Sequence, residues 1–184
     1  MSKIGFSLRR LLKSVTCALV TASAVLVPVQ SLASVDADLW SDDIVCLATN
    51  IYFESRNQSY AGQMAVGLVT LNRVEDPRYP NTICGVVYDT KYNQWWMKQG
   101  KKVPQKHKCQ FSWYCDGLSD RIRDVEAYQK SVSMAQAAVI MHQSGLDFTD
   151  GATHYHTVNV EPVWRTELTY LFTLDEHHFY RREM

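Results

Sequence analysis

The sequence predicts a single α+β domain that is mainly helical and carries a small β-sheet near its C-terminus. Apolar residues recur at helical spacing in three segments between residues 44 and 143. After residue 150 the pattern changes to short β-prone runs at Thr153–His156 and His177–Tyr180, which Pro162 separates. Residues 34–184 form a segment of the length expected for one domain with its own core.

The first 33 residues predict a signal peptide. Its basic start contains no acidic residue and consists of Lys3, Arg9, Arg10 and Lys13. An apolar stretch follows over residues 15–29, and residues 31–33 offer small side chains for cleavage after Ala33. A retained membrane anchor is the alternative, but the apolar stretch is shorter than the roughly 20 residues of a spanning helix. We therefore expect residues 34–184 to be exported, to the periplasm or beyond, without stable membrane insertion.

Four cysteines remain after residue 33, and their even number predicts two disulfides in an oxidising compartment. Three pairings are possible; we favour Cys46–Cys84 with Cys109–Cys115. A structural zinc site is the alternative, although the chain contains no CxxC pair.

Net charge restricts the class of partner. Removing residues 1–33 takes four of the 19 basic residues and no acidic one, so the remainder has a net charge of 15 − 19 = −4. A mildly acidic domain is electrostatically unsuited to bind nucleic acid, so we expect no nucleic-acid partner.

Three main helices are predicted along this domain. The first begins after Ser41 and ends at residue 53 or 54; the second begins after Ser59 and ends near residue 74. The third runs from about residue 124 to 143. Between the second and third helices, residues 91–108 are rich in Lys, Gln and Trp, and they predict a surface loop or flap.

Glu54 is the first candidate for chemistry because it stands at the end of an otherwise apolar helix. A carboxyl group on such a face is costly unless it is paired, protonated or open to a cleft. Partial burial would raise its pKa, as a general acid at neutral pH requires. The alternative is a solvated glutamate in the last turn, paired with Arg56.

Several motifs, in order, resemble the SleB-like cell-wall hydrolase family. They are Ile51–Arg56, Gly62–Val66, Leu71–Val74, Tyr79–Tyr88, Cys109–Trp113, Gly151–His156 and His178–Arg181. The resemblance implies a lysozyme-like fold of the lytic-transglycosylase type. It implies action on the glycan strands of peptidoglycan, between N-acetylmuramic acid and N-acetylglucosamine, and its catalytic glutamate falls on Glu54.

One position departs from that family. A second glutamate often follows the first by four residues, whereas this chain has Gln58. Two-carboxylate glycosidases need a nucleophile or base beside the acid. A lytic transglycosylase needs only one carboxyl group, which acts as acid and then as base, and it requires no cofactor. The missing acid therefore favours transglycosylation, or else indicates weakened activity, unless folding brings Glu75, Asp76 or Asp89 close.

The other motif residues are expected to bind sugar, and no metal ligand is assigned. The predicted substrate contacts are Gln63, Asn72, Phe111, Ser112, Trp113, His154 and Tyr155. Each has a structural alternative, since aromatic side chains often anchor a core and Asn72 could satisfy a backbone carbonyl.

Two other functions stay open. His154 and His156 alternate on a predicted strand and would face the same side, where His177 or His178 could complete a zinc site. A zinc-dependent N-acetylmuramoyl-L-alanine amidase would use such a site. The second alternative is a non-catalytic module that binds the cell wall. In each case we expect a monomer.

Overall fold

The computed structural model describes residues 41–183, so the predicted signal peptide lies outside the described residues. The α-helices are α1 (Asp42–Ser55), α2 (Tyr60–Glu75), α3 (Ile83–Val87), α4 (Gln94–Lys98) and α5 (Val125–Gln143). The strands are β1 (Thr90–Tyr92), β2 (Pro104–Cys109), β3 (His154–Thr157), β4 (Thr169–Leu174) and β5 (His177–Arg181). Two 3₁₀ helices span Ser112–Cys115 and Val163–Glu167.

Local capping sets the starts of the long helices. The Ser59 hydroxyl accepts a hydrogen bond from the Gly62 amide at 3.1 Å, which confirms the predicted start of α2. Asp124 caps α5 in the same way, through the amide of Ala127. Ser41 occupies the cap position of α1 but makes no capping side-chain hydrogen bond there.

Helices α1, α2 and α5 enclose the main core, as the three predicted amphipathic segments require. Their buried side chains include Leu47, Ile51, Val66, Leu68 and Ala135. Gly67 lets α2 approach its neighbours closely, because a Cβ there would lie 3.0 Å from Ala138 and 3.3 Å from Ile51. The packing of α2 in the main core therefore depends on the absence of a side chain at Gly67 as well as on apolar side chains.

A three-stranded antiparallel sheet of order β3–β5–β4 covers another part of the core and confirms the predicted C-terminal sheet. Tyr155 pairs with Phe179, and both belong to the face that packs against α2. His154 and His156 occupy the opposite face, on the same side as each other. Strand β4 was not predicted, and its side chains are mostly half-exposed or exposed.

The predicted loop at residues 91–108 is wrong: this segment is an ordered β-hairpin with α4 between its strands. Strands β1 and β2 pair antiparallel, and the side chain of Asn93 caps α4. Lys101 lies 5.2 Å above the Trp96 ring. The hairpin gains its order from pairing across the turn, which a polar sequence with little alternation does not reveal.

Both favoured disulfides are present. Cys46–Cys84 joins α1 to α3, and Cys109–Cys115 joins the end of β2 to the first 3₁₀ helix. Among residues 41–183, no helix has the length and apolar character to cross a bilayer.

Candidate active site

Glu54 lies in the last turn of α1 and is half-buried. The hydroxyl of Tyr155, on the core-facing side of β3, donates a hydrogen bond to Glu54 Oε2 at 3.0 Å. The two residues are 101 positions apart in the chain. Strand β3 therefore places a hydrogen-bond donor against Glu54, the carboxyl group that the sequence analysis identified as a candidate.

Opposing effects act on the proton of Glu54. Burial raises the pKa of its carboxyl group, whereas the hydrogen bond from Tyr155 and the positive charge of Arg73 oppose that rise. Burial also raises the pKa of Tyr155 well above its usual value, so the phenol stays a donor. The carboxyl group is thus held protonated more readily than in water, while its ionised form still has two stabilising neighbours.

Arg73 is a site residue that sequence reasoning missed. It is only 4% exposed, and its Nε donates to the carbonyl of Thr153 at 2.6 Å. Its guanidinium lies 5.0 Å from the Phe111 ring and 5.5 Å from the Tyr79 ring. Its Nη1 has no hydrogen-bond partner within residues 41–183. The available signal was its position in α2, on the helical face that carries Val66 and Val69.

No acidic residue of the described chain is among the groups that shift the pKa of Glu54. Glu75 faces His142, with 3.6 Å between Oε1 and Nε2, and Asp76 is paired with Arg78. Gln58, at the position of the family's second glutamate, exchanges two hydrogen bonds with Glu176 in the turn between β4 and β5. Within residues 41–183, no carboxylate therefore acts on the proton of Glu54.

The two predicted aromatic sugar contacts near this site are mainly core anchors. Phe111 is 3% exposed and packs against Arg73. Trp113 stacks on Phe53 with 4.7 Å between ring centroids, and its Nε1 donates to the buried Asn50 at 2.9 Å. Both rings are thus anchored in the core, and their contact with sugar stays a prediction. Ser112, between them, is exposed and open to a ligand.

Gln63 and Asn72 are likewise engaged within the protein. Gln63 is buried and donates to the carbonyl of Gln58, while its Oε1 has no partner among the described residues. The amide of Asn72 donates to Asp147, Thr149 and the carbonyl of Ala152. Asn72 thus satisfies a backbone carbonyl, as its structural alternative states.

The two strand histidines share a face but do not present free nitrogens to a metal. Both ring nitrogens of His156 are bonded, to the Thr157 carbonyl and the Tyr180 hydroxyl. His154 contacts Thr153 and Tyr79, and burial lowers its pKa to about 4. In the described part of the chain, no group of three His, Cys, Asp or Glu residues is placed to hold a metal ion.

A cavity of about 460 Å³ opens beside the end of α1. Phe53 and Arg56, on either side of Glu54 in sequence, are in its wall, while Glu54 itself does not line it. The cavity and the carboxyl group therefore lie on neighbouring sides of the same helical turn.

A model of the family described as Cell Wall Hydrolase matches residues 57–180, which is more than half of the chain. The chain belongs to the Cell Wall Hydrolase family. This confirms the resemblance drawn from the motifs. The matched region begins after Glu54, so the family match does not bear on the role of Glu54, which stays a prediction supported by its contacts.

Relatives of this chain include proteins named spore cortex-lytic enzyme. One from Bacillus cereus is 44% identical over 50 residues, covering 27% of this chain and 19% of the relative. One from Halalkalibacterium halodurans is 27% identical over 127 residues, covering 69% of this chain and 31% of the relative. The similarity thus spans less than a third of the length of these relatives.

Two solved structures have a similar fold. The catalytic domain of the Bacillus cereus SleB protein aligns with a TM-score of 0.55 at 24% identity, over 76% of this chain and 89% of that one. The catalytic domain of the germination-specific lytic transglycosylase SleB from Bacillus anthracis aligns with a TM-score of 0.51 at 23% identity, over 77% and 97%. The predicted α+β, lysozyme-like fold class is confirmed.

Proposed function

We propose that this chain cleaves the glycan strand of peptidoglycan as a lytic transglycosylase, with Glu54 as general acid and then general base. The observation that carries the proposal is the environment of Glu54. Its carboxyl group is half-buried, has a raised pKa, accepts a hydrogen bond from Tyr155 and has no acidic neighbour that acts on it. Both the protonated and the ionised form of this carboxyl group are stabilised. Such a group suits a reaction in which the residue that donates a proton later accepts one.

In the first step, Glu54 gives its proton to the glycosidic oxygen between N-acetylmuramic acid and N-acetylglucosamine. The bond from that oxygen to C1 of the muramyl sugar breaks, and positive charge develops on this sugar. The Glu54 carboxylate that forms is stabilised by the Tyr155 hydroxyl and by the charge of Arg73. These two groups therefore favour the product of proton transfer over its reactant.

In the second step, the same carboxylate takes the proton of the C6 hydroxyl of the muramyl sugar. The C6 oxygen bonds to C1, which yields a 1,6-anhydro product and returns Glu54 to its protonated form. No water is consumed and no cofactor enters. Gln58 in place of a second acid fits this route, because no group needs to activate a water molecule.

The names of the relatives support the substrate class. They are called spore cortex-lytic enzymes, and one structural neighbour is described as a lytic transglycosylase. We extend this substrate class to the present chain on the contacts of Glu54. Ser112 remains a proposed sugar contact, because its side chain is exposed between Phe111 and Trp113.

The decisive experiment is mass spectrometry of the soluble products after the oxidised protein digests purified peptidoglycan. We expect muropeptides that end in 1,6-anhydro-muramic acid. Reducing-end sugars would indicate hydrolysis and call for a second acid. Free stem peptides would indicate an amidase, and intact sacculi that retain the protein would indicate a binding module.

Replacing Glu54→Gln should lower the rate of anhydro-product formation by at least about 100-fold, because an amide is too weak an acid to protonate the glycosidic oxygen. The free energy of unfolding should be little changed, as the substitution is isosteric. Glu75→Gln is the matched control, since that side chain is 70% exposed on α2 and should leave the rate unaltered. Normal product formation by the Glu54 variant would refute the mechanism.

A further inference from the structure

The cavity beside α1 is lined by aromatic rings and by charges of both signs. Its aromatic lining comes from Tyr52, Phe53 and Trp113. Its charged lining comes from the acids Asp116 and Asp120 and from the bases Arg56, Arg121 and Arg123. At about 460 Å³, it has room for a ligand of several non-hydrogen atoms, such as an amino-acid side chain with its polar end.

These five charges form no ion pair with any residue between 41 and 183. Other arginines of the chain do pair, as Arg165 does with Glu161 at 2.8 Å and Arg181 with Asp150 at 2.7 Å. Guanidinium and carboxylate groups that surround one cavity without pairing leave binding capacity for both an anion and a cation.

The two acids lie close enough to affect each other. Burial, and then the negative charge of Asp116, raise the pKa of Asp120. A cationic group placed between them would relieve this repulsion. Asp116 is held in place because its Oδ1 accepts the Leu118 amide at 2.7 Å. The two acids are thus suited to bind an ammonium group.

The wall of the cavity is fixed before any ligand arrives. Phe53 and Trp113 are stacked, and Trp113 is bonded to Asn50. The Tyr52 hydroxyl accepts the backbone amides of Arg123 and Asp124 at 3.3 and 3.1 Å, which ties the arginine-bearing segment to α1. Such preorganisation lowers the entropic cost of binding.

We propose that this cavity binds the zwitterionic side-chain end of a diamino dicarboxylic acid in the peptide stem of peptidoglycan. Its carboxylate would face Arg121 and Arg123, its ammonium group would face Asp116 and Asp120, and its methylene groups would lie against the aromatic wall. The inference rests on the proposed function, because the stem is attached to the muramyl sugar that Glu54 would cleave. The site would make peptide-bearing glycan the preferred substrate.

The test uses a peptide without sugar, L-alanyl-γ-D-glutamyl-meso-diaminopimelate, titrated calorimetrically into the full chain with its disulfides formed. We expect saturable binding that Arg121→Ala/Arg123→Ala weakens by about tenfold, the loss expected for a hydrogen bond to a charged group. Asp116→Asn/Asp120→Asn should weaken it as well, while keeping an oxygen acceptor for the Leu118 amide. The control Lys130→Ala/Arg165→Ala removes two positive charges outside the cavity and should bind as the wild type does.

A second peptide, with lysine in place of diaminopimelate, keeps the side-chain ammonium group and the C-terminal carboxylate but lacks the side-chain carboxylate. It should bind the wild type about tenfold more weakly and should lose nothing further in the Arg121→Ala/Arg123→Ala variant. The proposal is overturned if the wild type does not bind the first peptide, or if the cavity and control variants weaken it equally. Because neither peptide has a glycosidic bond, failure of glycan cleavage by Glu54 would leave this result unaffected.

Discussion

Burial and the two polar neighbours of Glu54 act on its proton in opposite directions. Burial favours the neutral carboxyl group, and the Tyr155 hydroxyl and the Arg73 charge favour the carboxylate. Burial alone would give an acid that releases its proton too reluctantly, whereas a strong ion pair would leave no proton to release. The combination keeps both forms accessible, which a single residue acting first as acid and then as base requires.

This balance predicts the effect of Tyr155→Phe on the pH dependence of cleavage. The hydrogen bond from Tyr155 lowers the pKa of Glu54, so its loss raises that pKa. Glu54 donates only when protonated, and activity falls as pH rises through its pKa. The alkaline limb of the rate profile should therefore move to higher pH. The maximal rate should fall roughly 10- to 100-fold, because the forming carboxylate loses its donor.

Tyr180→Phe is the control for this experiment. This substitution also removes a buried hydrogen bond, the one between Tyr180 and His156. That bond lies on the face of the sheet opposite to Tyr155. The alkaline limb of the pH–rate profile of Tyr180→Phe should stay at the same pH as in the wild type. If Tyr155→Phe slows the enzyme without moving the limb, Tyr155 positions the site and does not tune the proton of Glu54.

Local capping signals made the long helices predictable from the sequence. Ser59 and Asp124 are capping residues whose side chains bond amides three positions away, so their role is visible in the sequence. The hairpin of β1 and β2 was missed because its pairing connects polar strands that lack a strict alternation. Strand β4 was missed because it is an edge strand with little buried surface.

The candidate active site was only partly predictable from the sequence. Glu54 was identifiable from one helix, and the family resemblance indicated Tyr155, but their contact depends on how β3 registers against β5. Arg73 was overlooked because arginine in a helix is usually exposed. Only the folded chain brings it beneath Phe111 and against the carbonyl of Thr153.

The two disulfides should contribute unequally to stability. Cys46–Cys84 spans 38 positions and Cys109–Cys115 spans 6, and a longer closed loop removes more entropy from the unfolded chain. Replacing the first pair by alanine should lower the free energy of unfolding by about 4 kcal/mol, and replacing the second by about 2 kcal/mol. Urea unfolding of the two double variants measures both values. Equal losses would mean that local strain, and not loop length, governs these bridges.

The proposed active site lies where the helical core meets the sheet. Glu54 and Arg73 come from α1 and α2, and Tyr155 comes from β3. The ring of Tyr155 packs against three separate groups of core residues. A side chain held from several sides is well placed to orient the carboxyl group that it contacts.

Export of the chain remains a prediction, and the cysteines supply a sharp test of it. Of the five cysteines, the four between residues 41 and 183 are paired, and Cys17 falls within the predicted signal peptide, outside the described residues. Cleavage after Ala33 would leave a chain without a free thiol, which suits an oxidising compartment. We expect protein recovered from the cell envelope to begin at Ser34 and to show no reactive thiol after unfolding in denaturant.

The matched control is Ala33→Leu, which places a bulky side chain where a signal peptidase needs a small one. This variant should keep residues 1–33, remain associated with the membrane and react with one equivalent of thiol reagent through Cys17. Intact mass spectrometry and thiol titration distinguish the two forms. A wild-type protein that retains Met1 would show that residues 1–33 act as an anchor, and free thiols in the chain starting at Ser34 would show that its bridges do not form where it acts.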